Sequence, residues 1–149
     1  MRSSYHSITT GLTFGQIILV LLASSHAVLA GEWIEGRVTH VRDVDTIEVN
    51  NLPIRLNGVD GPEMDERDGR SAKQWMQKQV LRKPVKCWLN GDKTYDRWVG
   101  TCYVASGEDI GALAIAAGHA RDCPRYSGGT YAAFETAESL RHERHAYCK

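Results

Sequence analysis

Residues 46 to 56 tie the chain to a β-rich fold. Thr46-Ile47-Glu48-Val49 alternates apolar and polar, Asn50-Asn51 is a turn signal, and Leu52-Pro53-Ile54-Arg55-Leu56 resumes the alternation. Side chains of a strand point alternately to its two faces, so Leu52, Ile54 and Leu56 share one face and Arg55 stands on the other. Residues 33 to 42, Val85 to Leu89 and Trp98 to Val104 read as three more strands, the last two around a polar connection containing Asn90-Gly91-Asp92.

Helical signals fall between and after the strands. Ser71 with Gln74 forms a capping-box pattern opening a helix with Ala72, Trp75, Met76, Gln79 and Val80 on one stripe, ending before Pro84. Asp109 is placed as N-cap of a short Ala-rich helix that stops at Gly118, and a last helix is expected from about Tyr131 to His145. The fold class is therefore α+β, mainly β: a five-stranded OB-type Greek-key barrel with three helices. The four tryptophans, Trp33, Trp75, Trp88 and Trp98, are expected in the core or at its rim.

The one long apolar run, Ile17 to Ala23, is broken by Ser24, Ser25 and His26 short of the roughly 20 residues a membrane span needs. With Arg2 before it and Val28-Leu29-Ala30 after it, it reads as a signal peptide over residues 1–30, leaving one domain, 31–149, that is secreted or periplasmic and has no stable membrane association after cleavage. The whole chain carries 18 Lys and Arg against 18 Asp and Glu, so no global positive field draws it onto polyanions. Any dealing with nucleic acid must rest on a local site.

Cys87, Cys102, Cys123 and Cys148 all follow the expected cleavage point, and an even number on an exported chain favours disulfides. No two stand two to four residues apart, as structural zinc sites usually require. Cys87 and Cys102 lie on consecutive strands at similar distances from a turn near Thr94 and are expected to pair, leaving Cys123 with Cys148. Other connectivities are open to four cysteines. His142-Glu143-Arg144-His145 lacks the metalloprotease spacing and reads as a solvated helix face.

Chemistry concentrates at strand ends. Asp45, with Asp43 nearby, precedes one strand of the hairpin, and Asp60 and Glu63 follow the strand that holds Arg55. Two aspartates, a backbone carbonyl and waters would suit a hard cation such as calcium, and acids at a barrel rim could be replaced without loss of the fold. Gly61 permits close backbone approach, and Pro62 stiffens the turn that presents Glu63.

Three blocks, Asp43-Val44-Asp45-Thr46, Ile54-Arg55-Leu56-Asn57-Gly58-Val59-Asp60-Gly61-Pro62-Glu63 and Tyr95-Asp96-Arg97-Trp98-Val99-Gly100, together resemble the signature of the staphylococcal-nuclease (thermonuclease) family. Val44 and Asp96 stand where that family has glycines, and Lys93 where it has an aspartate. The resemblance implies a calcium-dependent nuclease that hydrolyses DNA and RNA phosphodiesters with little sequence preference, acting as a monomer on single-stranded or locally open substrate. It assigns Asp45, Asp60 and the Gly61 carbonyl to Ca2+, Arg55, Glu63 and Arg97 to catalysis, and Tyr95 and Tyr126 to the bound nucleotide. The alternatives are a noncatalytic OB-fold module binding oligonucleotide or oligosaccharide, and a role tied to exported polysaccharide. Retention of Asp45, Asp60, Glu63, Arg55 and Arg97 together argues against a module that only binds.

Overall fold

The computed structural model describes residues 31–149; the expected signal peptide lies outside the described residues. Among the described residues there are seven strands: β1 (Glu32–Val41), β2 (Thr46–Val49), β3 (Leu52–Leu56), β4 (Val59–Asp60), β5 (Pro84–Thr94), β6 (Arg97–Val104) and β7 (Arg121–Asp122). Five of them close a barrel in the order β1-β2-β3-β6-β5, with β5 returning to β1, and β4 pairs separately with β7. Every pairing is antiparallel except β3 with β6, which runs parallel from Ile54 opposite Trp98 to Leu56 opposite Gly100. This is the expected OB-type barrel.

The β2–β3 hairpin turns through Asn50 and Asn51, both with positive φ (50° and 67°), the conformation a two-residue turn needs to match strand twist. Ile47, Val49, Ile54 and Leu56 point inward and join Val38, Val41, Leu89 and Ile115 in the core. Cys87 and Cys102 lie directly opposite each other on β5 and β6 and are bonded, as are Cys123 and Cys148. Both pairs are those expected. β5 extends further than anticipated, through Asn90-Gly91-Asp92 by way of a register shift, and the turn falls at Tyr95 and Asp96.

Helix α1 (Gly69–Val80) sends Ala72, Met76 and Val80 into the core, but it starts before Ser71. Asp68, at φ 69°, is its N-cap, and the Ser71 hydroxyl donates to the Asp68 carbonyl at 2.8 Å, so the capping box does not form. Asp109 caps α2 (Ile110–Ala116) as expected, accepting from the Gly111 and Ala112 N–H groups.

The long last helix is not formed. The third helix is the four-residue α3 (Pro124–Ser127), followed by single 3₁₀ turns at Ala132–Phe134, Ser139–Arg141 and Ala146–Cys148. The segment does not bury an apolar face: between Tyr131 and Cys148 only Ser139 is buried, Phe134 and Leu140 stay exposed, and Thr136 and Ser139 close a local turn on each other instead. Trp75 and Trp98 pack against the core, whereas Trp33 (51% exposed) and Trp88 stack on the outside of the barrel, their ring centres 5.4 Å apart. Among the described residues no helix is long and apolar enough to cross a membrane.

Candidate active site

Asp45 ends the loop into β2, where its N–H donates to the Asp43 carboxylate at 3.0 Å and its carbonyl accepts from Leu56. Its side chain is buried rather than set on a rim. Oδ1 accepts from the Thr46 hydroxyl, and Oδ2 takes both the Gly61 N–H at 3.2 Å and Arg55 Nη2 at 3.0 Å. Gly61 is required here by space: a Cβ on it would overlap Val44 Cγ1. Val44 itself is buried and has no positive φ, so the absence of glycine there introduces no strain.

Asp60 is 2% exposed on β4, and the pairing of β4 with β7 brings the C-terminal segment over it. Its Oδ2 accepts the His145 N–H at 2.9 Å, and Oδ1 accepts from His145 Nδ1 at 2.7 Å and the Tyr147 hydroxyl at 3.2 Å. His145 is thus not on a solvated helix face. Its other nitrogen, Nε2, lies 3.4 Å from Glu66 Oε1. His145, Tyr147 and Glu66 escaped the reading of the sequence, although Cys148 was a usable signal, since a cysteine bonded back to Cys123 must fold the tail onto the barrel.

A cleft of about 660 Å³ opens beside these acids, and Arg55, Glu63, Tyr95, Arg97, Tyr126 and Tyr147 all line it. Arg55 is fixed in its wall: Nη1 donates to the Val59 carbonyl at 2.8 Å and the Leu56 carbonyl at 3.1 Å. Arg97 enters from the start of β6, with Nη1 on the Thr46 hydroxyl at 3.1 Å and the guanidinium carbon 5.9 Å from the Tyr95 ring centre. The left-handed residue of that turn is Tyr95 (φ 56°), so Asp96 is unstrained and instead pairs with Arg42 at 2.8 Å. Lys93 sets its ammonium 4.0 Å from the Trp98 ring centre. Tyr95 is 94% exposed and Tyr126 54% exposed, with the Arg125 guanidinium carbon 5.8 Å from the Tyr126 ring centre. Glu63 sits on an exposed loop after Gly61 and Pro62.

Burial pushes the Asp45 carboxyl up to about 7 against the pull of Arg55. Burial also works against charge on Arg55, but Asp45 and its neighbours outweigh it and the guanidinium is held charged. For His145 burial is likewise outweighed, by Asp60 and then Glu66, so the imidazole keeps its proton to higher pH than usual.

The donor chemistry fits a hard cation. Each carboxylate oxygen has two acceptor positions, and counting donors leaves one open on Asp45 Oδ1 and one on Asp60 Oδ2. Among the described residues no three His, Cys, Asp or Glu side chains group closely enough to hold an ion by themselves. An ion here therefore needs backbone carbonyl and water as well, a set that calcium tolerates better than magnesium.

A closed five-stranded barrel with two arginines and an exposed glutamate lining one cleft, and two buried aspartates bonded to the lining residues Arg55 and Tyr147, defines a small OB-fold protein with an acid-backed, arginine-lined site. Residues 53–146 match the family described as Staphylococcal nuclease homologue, and the chain belongs to that family. It is 36% identical over 139 residues to the succinoglycan biosynthesis protein ExoI of Rhizobium meliloti (strain 1021), covering 85% of this chain and 72% of the relative. It is also 35% identical over 108 residues to an uncharacterized endonuclease of Escherichia coli O157:H7, covering 70% of each chain.

Proposed function

We propose that the protein is an exported, calcium-dependent nuclease cutting DNA and RNA phosphodiesters with little sequence preference, on single-stranded or locally open substrate. The observation that carries this reading is the convergence of Arg55, Glu63, Arg97, Tyr95 and Tyr126 on one cleft, with Asp45 bonded to Arg55 and Asp60 to Tyr147 in its wall. Family membership and the endonuclease relatives support it.

Asp45, Asp60 and the Gly61 carbonyl would hold the ion, which when bound polarises a phosphoryl oxygen. Glu63, on its solvent-facing loop, orients the attacking water or takes its proton. Arg55 and Arg97 approach the cleft from adjacent strands and grip the phosphoryl oxygens with forked donors, more strongly as charge builds there. The exposed rings of Tyr95 and Tyr126 offer stacking faces that any base can use, which suits weak sequence preference. One chain supplies every group of the cleft, so activity requires no second copy.

Two disulfides and the pattern of residues 1–30 support export to the periplasm or medium. A second reading, a part in polysaccharide production, rests on the succinoglycan relative. Incubating residues 31–149 with single-stranded DNA, RNA and succinoglycan, in calcium and then in excess chelator, tests both. Calcium-dependent shortening of the nucleic acids alone supports the nuclease; retention of intact nucleic acid with binding of the glycan overturns it.

A further inference from the structure

His145 has no part in the chemistry just described, yet it stands between two of its components. Nδ1 meets Asp60 Oδ1 at 2.7 Å, and since an ionised carboxylate only accepts, the ring nitrogen is the donor. Nε2 faces Glu66 Oε1 at 3.4 Å, and Glu66 Oε2 accepts the Glu63 N–H at 2.8 Å while the Glu66 N–H donates back to the Glu63 carbonyl at 3.0 Å. A continuous line of polar contacts thus runs from Asp60 through His145 and Glu66 to the backbone of Glu63. The ring is braced from behind by Tyr147, stacked 5.2 Å away at 12°, whose hydroxyl also reaches Asp60. Cys148 then anchors the segment through its disulfide to Cys123, whose own N–H is bonded to the Gly58 carbonyl close to Asp60.

We propose that His145 is a positioning residue that fixes the Asp60 carboxylate for the ion and, through Glu66, the loop that carries Glu63, with the Cys123–Cys148 disulfide holding it in place. This rests on the reading of Asp60 as an ion ligand and of Glu63 as the water-activating carboxylate. Asp60 needs no histidine to hold its backbone, which is already paired with Arg121 on β7. What His145 and Tyr147 add is acceptor saturation of Oδ1, which leaves the open position on Oδ2 and so fixes which oxygen faces an ion. Partners of this kind behind a metal ligand typically govern metal affinity by 10- to 100-fold.

The test is calcium titration calorimetry, with turnover at saturating calcium, on the intact disulfide-bonded protein and on Asp60→Asn, His145→Ala, His145→Asn and Glu66→Ala. Asp60→Asn should remove the calcium heat. His145→Ala should weaken calcium by about 10- to 100-fold and lower kcat more than KM. His145→Asn carries an amide N–H₂ close to the position of Nδ1 and should recover most of the calcium affinity but not the turnover, because nothing then faces Glu66. Glu66→Ala should lower kcat at unchanged calcium affinity. Replacing Cys123 and Cys148 together by alanine should weaken calcium as His145→Ala does. Loss of calcium binding in Asp60→Asn alone, with His145→Ala binding calcium like the wild type or more tightly, would overturn this inference and leave the ion site standing. Wild-type calcium binding by Asp60→Asn overturns both.

Discussion

Arg55 Nη2 and Asp45 Oδ2 lie 3.0 Å apart with both side chains largely buried, so the arginine at the cleft wall is also the counter-charge of the acid behind it. Removing one member of such a pair leaves the other buried without a partner. Arg55→Ala is therefore expected to lower unfolding stability by about 3 kcal/mol as well as turnover by on the order of a hundredfold. Denaturant melts beside kinetics check this; a wild-type melting midpoint with lost activity would mean that Asp45 does not depend on Arg55.

Arg97 makes a lighter set of contacts, to the Thr46 hydroxyl and the Tyr95 ring, and its loss strands no buried charge. Arg97→Ala should reduce turnover by on the order of a hundredfold with substrate affinity and stability nearly unchanged, the mark of a contact that strengthens in the transition state. Arg141→Ala, at a side chain 75% exposed and away from the cleft, is the comparison and should alter turnover by less than about threefold. Equal rates for the two variants would remove Arg97 from the machinery.

Chelation should abolish cleavage, and calcium should restore it far better than magnesium, since the described side chains offer too few ligands for a tight octahedral cage. The check is turnover across a titration of each ion after chelator treatment. Equal rescue by magnesium would contradict the loose oxygen site drawn here.

Glu135 ties the C-terminal segment to β7. Burial alone would raise its carboxyl, but the hydrogen bond from Arg121 at 3.0 Å, with Arg144 and the Asp122 N–H, outweighs burial and holds it below its usual value of 4.5. A depressed acid contributes stability that is fully present above the unfolded pKa and lost as pH falls through the folded one. Thermal stability of the wild type should thus decline from about pH 4.5 downward more steeply than that of Glu135→Gln, which should be weaker by about 2 kcal/mol at neutral pH. Parallel profiles for the two proteins would count against the network.

Cys87 and Cys102 close a loop with a sequence separation of 15 between strands that are already paired at that register. Replacing both by alanine should cost about 3 kcal/mol by the loop-entropy estimate, with calcium affinity unaffected because neither lines the cleft. Melting curves and calcium titration of the double variant check both halves of the expectation.

The hairpin from Thr46 to Leu56 was legible because alternation, turn residues and burial there all require the same register, and that register alone puts Arg55 opposite Thr46 beside Asp45. The Cys87–Cys102 pair was legible for the same reason, from strands meeting at a turn, and Cys123–Cys148 followed as the pair left over. The segment after Tyr131 was not. Its composition suits a helix, but too few of its side chains reach the core for helical periodicity to be used, and side-chain bonds from Glu135, Ser139 and His145 decide its path instead. Such bonds depend on partners far along the chain, so local pattern carries no trace of them. The burial of Asp45 and Asp60 was hidden likewise, since an aspartate in a turn is exposed by default and only the packed tail and Arg55 reverse that here.

The parallel seam between β3 and β6 joins Ile54 to Trp98 and Arg55 to Val99, two residues past Arg97, and it is this seam that brings both arginines to one cleft. Pairings so distant in sequence form late, because the intervening loop must first be closed against its entropy. A chain still emerging during synthesis does not yet have the two arginines together. The folding barrier thus doubles as a safeguard: the cleft comes into being only when the barrel has shut, and the capacity to act on a phosphate arrives with the native state and not before it.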